Sequence, residues 1–177
     1  SPIQTTYDLL CAFHDVIPEE RVDGIRVTGS GSRTIARIVG LYYENEFKAI
    51  ARMMAAFHPD VRTVFELGGE SSKYILLDGA SIVDYDRSGE CAAGTGSFID
   101  QQAMRMRYAV EEVGDVVATA ATAAQIAGRC SVFARSDMIH AQQKGHTPAE
   151  ILRGLCDAVA RNFKGSVVKG RKVAPRA

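Results

Sequence analysis

Apolar residues recur at helical spacing along most of this chain, interrupted by a central stretch that alternates. Leu9, Phe13 and Val16 fall four and three apart and predict a helix over residues 6–16, with Cys11 beside the stripe. Ile25, Arg26, Val27 and Thr28 read as a short strand closed by Gly29-Ser30-Gly31, on an edge separate from the later strands. Phe47, Ile50, Ala51, Met54 and Phe57 share one face of a helix over residues 44–57. His58-Pro59-Asp60 ends it, because a residue before proline is pushed out of the helical region.

The period then changes. Residues 63–67, 73–77 and 81–85 read as strands, the first two joined by Gly68-Gly69-Glu70-Ser71-Ser72 and the last two by an Asp78-Gly79 hairpin signal. Tight turns between three strands imply an antiparallel meander. Beyond it, helices are predicted over 96–106, 111–119, 130–144 and 148–168. The last opens on Thr147-Pro148-Ala149-Glu150, a capping box with proline at the first helical position, and its stripe is Leu152, Leu155, Cys156, Val159 and Phe163. The fold class is α/β: a three-stranded antiparallel meander plus several helices. Cys11 and Cys156 are expected in the core.

Composition narrows the functional classes. The 177 residues carry 21 basic and 21 acidic side chains, a balance that points away from nucleic acid and from an anionic membrane surface. No apolar run reaches the roughly 18 residues of a membrane span, and there is no signal-peptide pattern. Cys11, Cys91, Cys130 and Cys156 are too dispersed for a small disulfide scaffold, so a reducing, cytoplasmic setting is expected. The sequence opens on Ser1-Pro2 and closes after a basic stretch over 164–176, read as a solvated approach to a further strand; a piece of a longer protein is expected.

Two stretches carry candidate chemistry. Glu66-Leu67-Gly68-Gly69-Glu70-Ser71-Ser72-Lys73 sets a carboxylate at a strand end, two glycines in the turn and a lysine at the next strand's start. Such a turn can form an anion nest with a carboxylate beside it for magnesium through water, or can be an ordinary glycine hairpin. Ser88 to Ile99 places Cys91 ahead of Gly94-Thr95-Gly96 and a helix, a loop expected to leave backbone N–H groups free for an anion. Cys91 alone reads as a nucleophile, a buried structural thiol or a metal ligand. Cys130 opens another helix. His140 and His146 follow it, but His140 lies about three helical turns on, too far to share one zinc ion with Cys130 along a straight helix.

Together the segments Val27–Gly31, Phe65–Tyr74, Glu90–Phe98 and Arg129–Asp137 resemble, in order, the activator ATPases of 2-hydroxyacyl-CoA dehydratases and the related benzoyl-CoA reductase ATPase subunits (the BadF/BadG/BcrA/BcrD type). Cys91-Ala92-Ala93-Gly94-Thr95-Gly96 and Cys130-Ser131-Val132-Phe133-Ala134 are specific as a pair, and residues 136–145 look most like the long, multidomain variety.

The resemblance implies an actin-like, ribonuclease H-like ATPase fold, with residues 1–61 ending its first lobe and 62–177 beginning the second. It implies ATP and magnesium, with Glu66 as the catalytic carboxylate and Gly68, Gly69, Lys73, Gly94, Thr95 and Gly96 around the nucleotide. It implies one 4Fe-4S cluster shared across a homodimer, or a pseudo-dimer with a second repeat of the same long chain, held by Cys91 and Cys130. ATP hydrolysis then drives a low-potential electron into a CoA-ester dehydratase or reductase. The chain departs from the family where Asp is usual at Glu66 and Gln-Asp is usual at Glu70-Ser71. The first phosphate hairpin and the adenosine segment would lie outside residues 1–177, so these residues alone are expected to be inactive. The rival readings are an actin-like sugar or acyl kinase without a cluster, and a degenerate, non-catalytic partner-binding module.

Overall fold

The computed structural model describes residues 1–17, 21–89, 95–127 and 131–175, with side chains of the 131–143 helix described from Phe133 onward. Chain contacts divide it into two units: residues 1–60 with 79–82, and residues 61–78 with 83–175 of the described chain.

In the first unit, α1 (Pro2–Val16) is followed by β1 (Arg26–Val27), α2 (Ser32–Val39), β2 (Tyr42–Tyr43) and α3 (Glu46–Phe57). β1 and β2 pair in parallel, Arg26 opposite Tyr42 and Val27 opposite Tyr43, so α2 is the crossover of a small β-α-β unit. Glycines in the left-handed region bound α2, Gly31 at φ 76° and Gly40 at φ 73°. Neither α2 nor β2 was expected from the sequence. Asn45 caps α3 by accepting from the amides of Phe47 and Lys48. Glu44 takes both Arg26, at 3.7 Å, and Arg52, at 3.1 Å. α1 runs longer than expected and buries no residue, and Cys11 is exposed, not buried. Its stripe gives the helix its period, but Leu9, Phe13 and Val16 stay exposed among the described residues.

β3 (Thr63–Leu67), β4 (Ser72–Asp78) and β5 (Ser81–Arg87) form the expected meander in the order β3-β4-β5, in the second unit but for Ser81 and Ile82. β3 and β4 are antiparallel, Thr63 opposite Leu76 through Leu67 opposite Ser72. Beyond the hairpin, the Ser88 amide donates to the Ser72 carbonyl at 2.8 Å, which joins the end of β5 to the start of β4.

The alternation of β3 and β4 decides what each sheet face meets. Phe65 and its partner Tyr74 turn toward the last helix, where Phe65 meets Phe163 edge-on at 5.6 Å between ring centroids. Tyr74 packs with Phe163, Val167, Val168 and Leu76. Glu66 and Lys73 lie on the opposite face.

α4 (Gly96–Arg105), α5 (Val113–Ala118), α6 (Ser131–Gln143) and α7 (Pro148–Phe163) complete the unit. A 3-10 turn over Val110–Glu112 leads into α5, and a π-helical turn over Lys164–Val168 extends α7. The main core joins Phe98 and Ala103 of α4, Ala134, Met138 and Ala141 of α6, and Ile151, Leu152, Leu155, Ala158 and Val159 of α7. Thr147 accepts from the Glu150 amide while Glu150 accepts from the Thr147 amide, the capping box read in the sequence.

Two expectations change here. Cys156 is half-buried at the core's margin. The basic tail stays largely exposed, as expected, but two of its charges are paired. Arg171 reaches Asp84 at 3.2 Å and Asp86 at 2.9 Å, and Lys169 reaches Asp86 at 3.0 Å. The Tyr74 hydroxyl donates to the Lys172 carbonyl, and the Ala174 amide donates to Thr63 Oγ1 at 2.9 Å. The tail charges answer the acidic alternation of β5.

Candidate functional site: the β3–β4 loop and the start of α4

The chemistry gathers where β3 turns into β4. Glu66 and Lys73 are opposite one another in the ladder, so their side chains leave the same face at neighbouring positions. Lys73 Nζ sits 2.5 Å from Glu66 Oε2. The lysine side chain is 3% exposed and the glutamate 36%. A buried ammonium needs such a partner, because desolvation without one is costly. The other carboxylate oxygen, Oε1, lies over Gly68: a Cβ added there would stand 3.2 Å from it and 2.8 Å from the Ser71 carbonyl oxygen. Any side chain at Gly68 would collide with the turn, whose Gly68 amide donates to the Ser71 carbonyl at 2.9 Å.

Backbone hydrogen bonds tie the loop to the start of α4. The Gly96 amide donates to the Gly68 carbonyl at 2.9 Å and the Ser97 amide to the Gly69 carbonyl at 3.1 Å. The expected free N–H groups at this helix start are therefore taken up at Gly96 and Ser97 by the β3–β4 loop, and the Phe98 amide bonds back to the Thr95 carbonyl at 3.2 Å. Gly96 packs against the loop backbone, where a Cβ would lie 3.4 Å from the Gly68 oxygen. Thr95, just before the helix, is fully buried. On the other side, the Ser72 amide donates to Ser88 Oγ at 2.9 Å. The segment from Ser88 to Gly96 is thus fastened to the β3–β4 loop at both ends.

Cys91 and Gly94 lie inside that segment and outside the described residues, as does Cys130. The described chain resumes as α4 after the first cysteine and as α6, at Ser131, immediately after the second. Among the described residues no group of three or more His, Cys, Asp or Glu is placed to hold a metal ion. His146 instead lies 3.4 Å from Glu150 at the α7 cap. Burial, and then the neighbouring Asp157 charge, push the Cys156 thiol above its ordinary pKa, which makes it a poor thiolate. No helix among the described residues is long and apolar enough to cross a membrane.

The sequence named Glu66, Gly68, Gly69, Lys73, Thr95 and Gly96 together, and the structure brings them into one neighbourhood. It also adds Ser72 and Ser88, which the sequence reading passed over. Their signal was weak: a serine at a strand start and another just past a strand end, with no spacing rule joining them.

Comparison with known proteins gives the same direction. The chain is 31% identical over 107 residues to the (R)-2-hydroxyglutaryl-CoA dehydratase activating ATPase of Acidaminococcus fermentans, covering 60% of this chain and 41% of that protein. It is 28% identical over 124 residues to the 2-hydroxyisocaproyl-CoA dehydratase activator of Clostridioides difficile, covering 70% and 47%. The aligned stretch thus spans less than half the length of these relatives. The crystal structure of the A. fermentans (R)-2-hydroxyglutaryl-CoA dehydratase component A superposes with a TM-score of 0.85 at 24% identity, over 98% of this chain and 66% of that one. The C. difficile activator with bound ADPNP superposes with a TM-score of 0.83 at 25% identity, over 96% and 63%. The fold is therefore that of this actin-like ATPase class. A family model matches residues 15–175, nearly the whole chain, which belongs to the BadF/BadG/BcrA/BcrD ATPase family.

Proposed function

We propose that the full-length protein is an ATP-dependent iron–sulfur activator that delivers a low-potential electron to a CoA-ester dehydratase or reductase. The observation that carries the reading is the double fastening of the Cys91 segment to the β3–β4 loop, through Ser88–Ser72 and Gly96–Gly68. A change in that loop on nucleotide turnover must act on both ends of the cysteine segment.

In this reading Gly68 and Gly69 let phosphate oxygens approach the backbone, with Gly94, Thr95 and Gly96 beside them. Glu66 orients the attacking water, directly or through the hydration of magnesium. Water adds to the γ-phosphorus, the bond to the ADP oxygen breaks, and ADP, inorganic phosphate and a proton leave. Hydrolysis then biases a rigid-body rearrangement between two copies, or two repeats of one long chain.

Cys91 and Cys130 are the residues that would hold the cluster. Two thiols from each of two copies supply the four thiolates a 4Fe-4S cluster takes. The two remaining cysteines suit it poorly, one exposed on α1 and the other a half-buried thiol with a raised pKa. Bound there, a 4Fe-4S cluster supplies a one-electron donor of low potential.

Residues 1–61 would end the first ATPase lobe and 62–177 begin the second; a division of chain contacts at Asp60/Val61 supports that boundary. Since the chain spans no more than about two thirds of the activators it superposes on, these 177 residues alone are expected not to turn over ATP. The test is anaerobic turnover of the reduced, full-length protein with a CoA-ester dehydratase or reductase partner. Electron transfer that requires ATP hydrolysis is expected. Hydrolysis with no electron delivered to any such partner would contradict the reading.

A further inference from the structure

Lys73 is the charged residue of the loop that does not face outward. Its side chain is 3% exposed, on the same sheet face as Glu66, with Nζ 2.5 Å from Glu66 Oε2. A lysine that grips a phosphate needs a reachable ammonium and spare N–H donors aimed at the ligand. This one is buried with its charge against a carboxylate. The carboxylate is the more exposed partner, and its second oxygen, Oε1, stands against Gly68, where the absent Cβ leaves it room.

One oxygen is therefore held by the ammonium, and the other lies beside Gly68. A glutamate has three rotatable side-chain bonds, and an exposed one samples several rotamers. The ion pair removes that freedom and fixes which oxygen faces the loop. It also commits Lys73 to β3, its cross-strand neighbour, so that a movement of the loop need not move the lysine.

We propose that Lys73 is a positioning residue that acts through Glu66, locking the carboxylate so that Oε1 alone meets the attacking water or hydrated cation, and that it makes no contact of its own with the nucleotide phosphates. The proposal rests on the ATPase reading above. It differs from the phosphate-binding role expected for Lys73 from sequence, and the two roles have opposite kinetic signatures. A phosphate ligand contributes to nucleotide binding whether or not Glu66 is present. A residue working through Glu66 contributes nothing once the carboxylate is gone.

The experiment is a double-mutant cycle on the full-length protein, with steady-state ATPase kcat and KM for Mg-ATP measured for wild type, Lys73→Met, Glu66→Gln and the double variant. Lys73→Met is expected to lower kcat about tenfold, as for a misoriented catalytic group, with KM changed by less than about twofold. In the Glu66→Gln background the same substitution is expected to change kcat by less than about twofold, the strong coupling of residues acting as one unit. Lys73→Gln, which keeps a hydrogen-bond donor beside the carboxylate, serves as the second lysine variant if the methionine protein does not fold, and should show the same absorption of its effect by Glu66→Gln. A rise in KM with kcat preserved, or losses that multiply in the double variant, would overturn the positioning role while leaving the ATPase reading intact. Absence of Mg-ATP hydrolysis by the wild-type full-length protein would remove both.

Discussion

The first and last long helices carry similar stripes and meet opposite fates. α1 spaces Leu9, Phe13 and Val16 four and three apart, and these are 65%, 39% and 80% exposed. α7 spaces Leu152, Leu155 and Val159 three and four apart, and none exceeds 2% exposure. Periodicity therefore reports which face a helix would bury, not whether this chain supplies the cover. The ends differ as well. Ser1 precedes α1 without a side-chain cap bond, whereas Thr147 and Glu150 close a capping box at α7. α7 is also clasped by the extended segment before α6: Arg153 donates to the Ala120 carbonyl at 2.6 Å, the Ala124 amide to the Glu150 carbonyl at 2.9 Å, and Arg161 to the Ile126 carbonyl at 2.7 Å.

Truncation should expose this contrast most strongly. Leu155→Ala is expected to cost about 3 kcal/mol of unfolding free energy, through lost burial and a residual cavity. Leu9→Ala should change it by less than about 0.5 kcal/mol. Chemical denaturation of the chain checks both, and equal losses would break the comparison. Next in size is Gly154→Ala. A Cβ there would lie 2.0 Å from the Ala124 carbonyl oxygen, so the clasp must shift, at about 1–3 kcal/mol, the usual range for overpacking. Thr147→Ala should cost about 1 kcal/mol by removing a cap, with no matching loss for Ser1→Ala.

The smallest effect depends on pH. The Thr122 hydroxyl, then the Thr147 amide, hold the Glu150 carboxyl down from 4.5 to about 2. A depressed carboxyl stabilises the fold above its unfolded pKa and loses that contribution as pH falls toward the folded value. Glu150→Gln should therefore lower the melting temperature at pH 6, and the difference should shrink as pH falls from about 4.5 to about 2. A difference that grows on acidification would contradict the assignment.

The meander was legible because its signals are local: alternation in β3 to β5, two glycines in one turn and Asp78-Gly79 in the other. α7 was legible for the same reason, its cap and stripe both lying within the helix. What escaped were features that depend on distant partners. β2 is two residues long and exists by pairing with β1; α2 is eight residues, with only Ser32 and Ala36 buried. The tail gave a charge count but not that Asp84 and Asp86 would receive it. At the candidate site, Glu66, Gly68, Gly69 and Lys73 could be named from one contiguous stretch. Their arrangement could not, because the facing of Glu66 and Lys73 depends on strand register, and the capture of the Gly96 and Ser97 amides on a loop more than twenty residues earlier.

The central claim is that Cys91 and Cys130 hold a shared cluster in an ATP-dependent activator. The most direct test is the iron and acid-labile sulfide content of anaerobically purified full-length protein, for wild type and for Cys91→Ser, Cys130→Ser and Cys156→Ser. About four irons per pair of cluster-binding units are expected in wild type, near zero in the first two variants and an unchanged content in Cys156→Ser. Normal iron in either Cys91→Ser or Cys130→Ser would contradict the account.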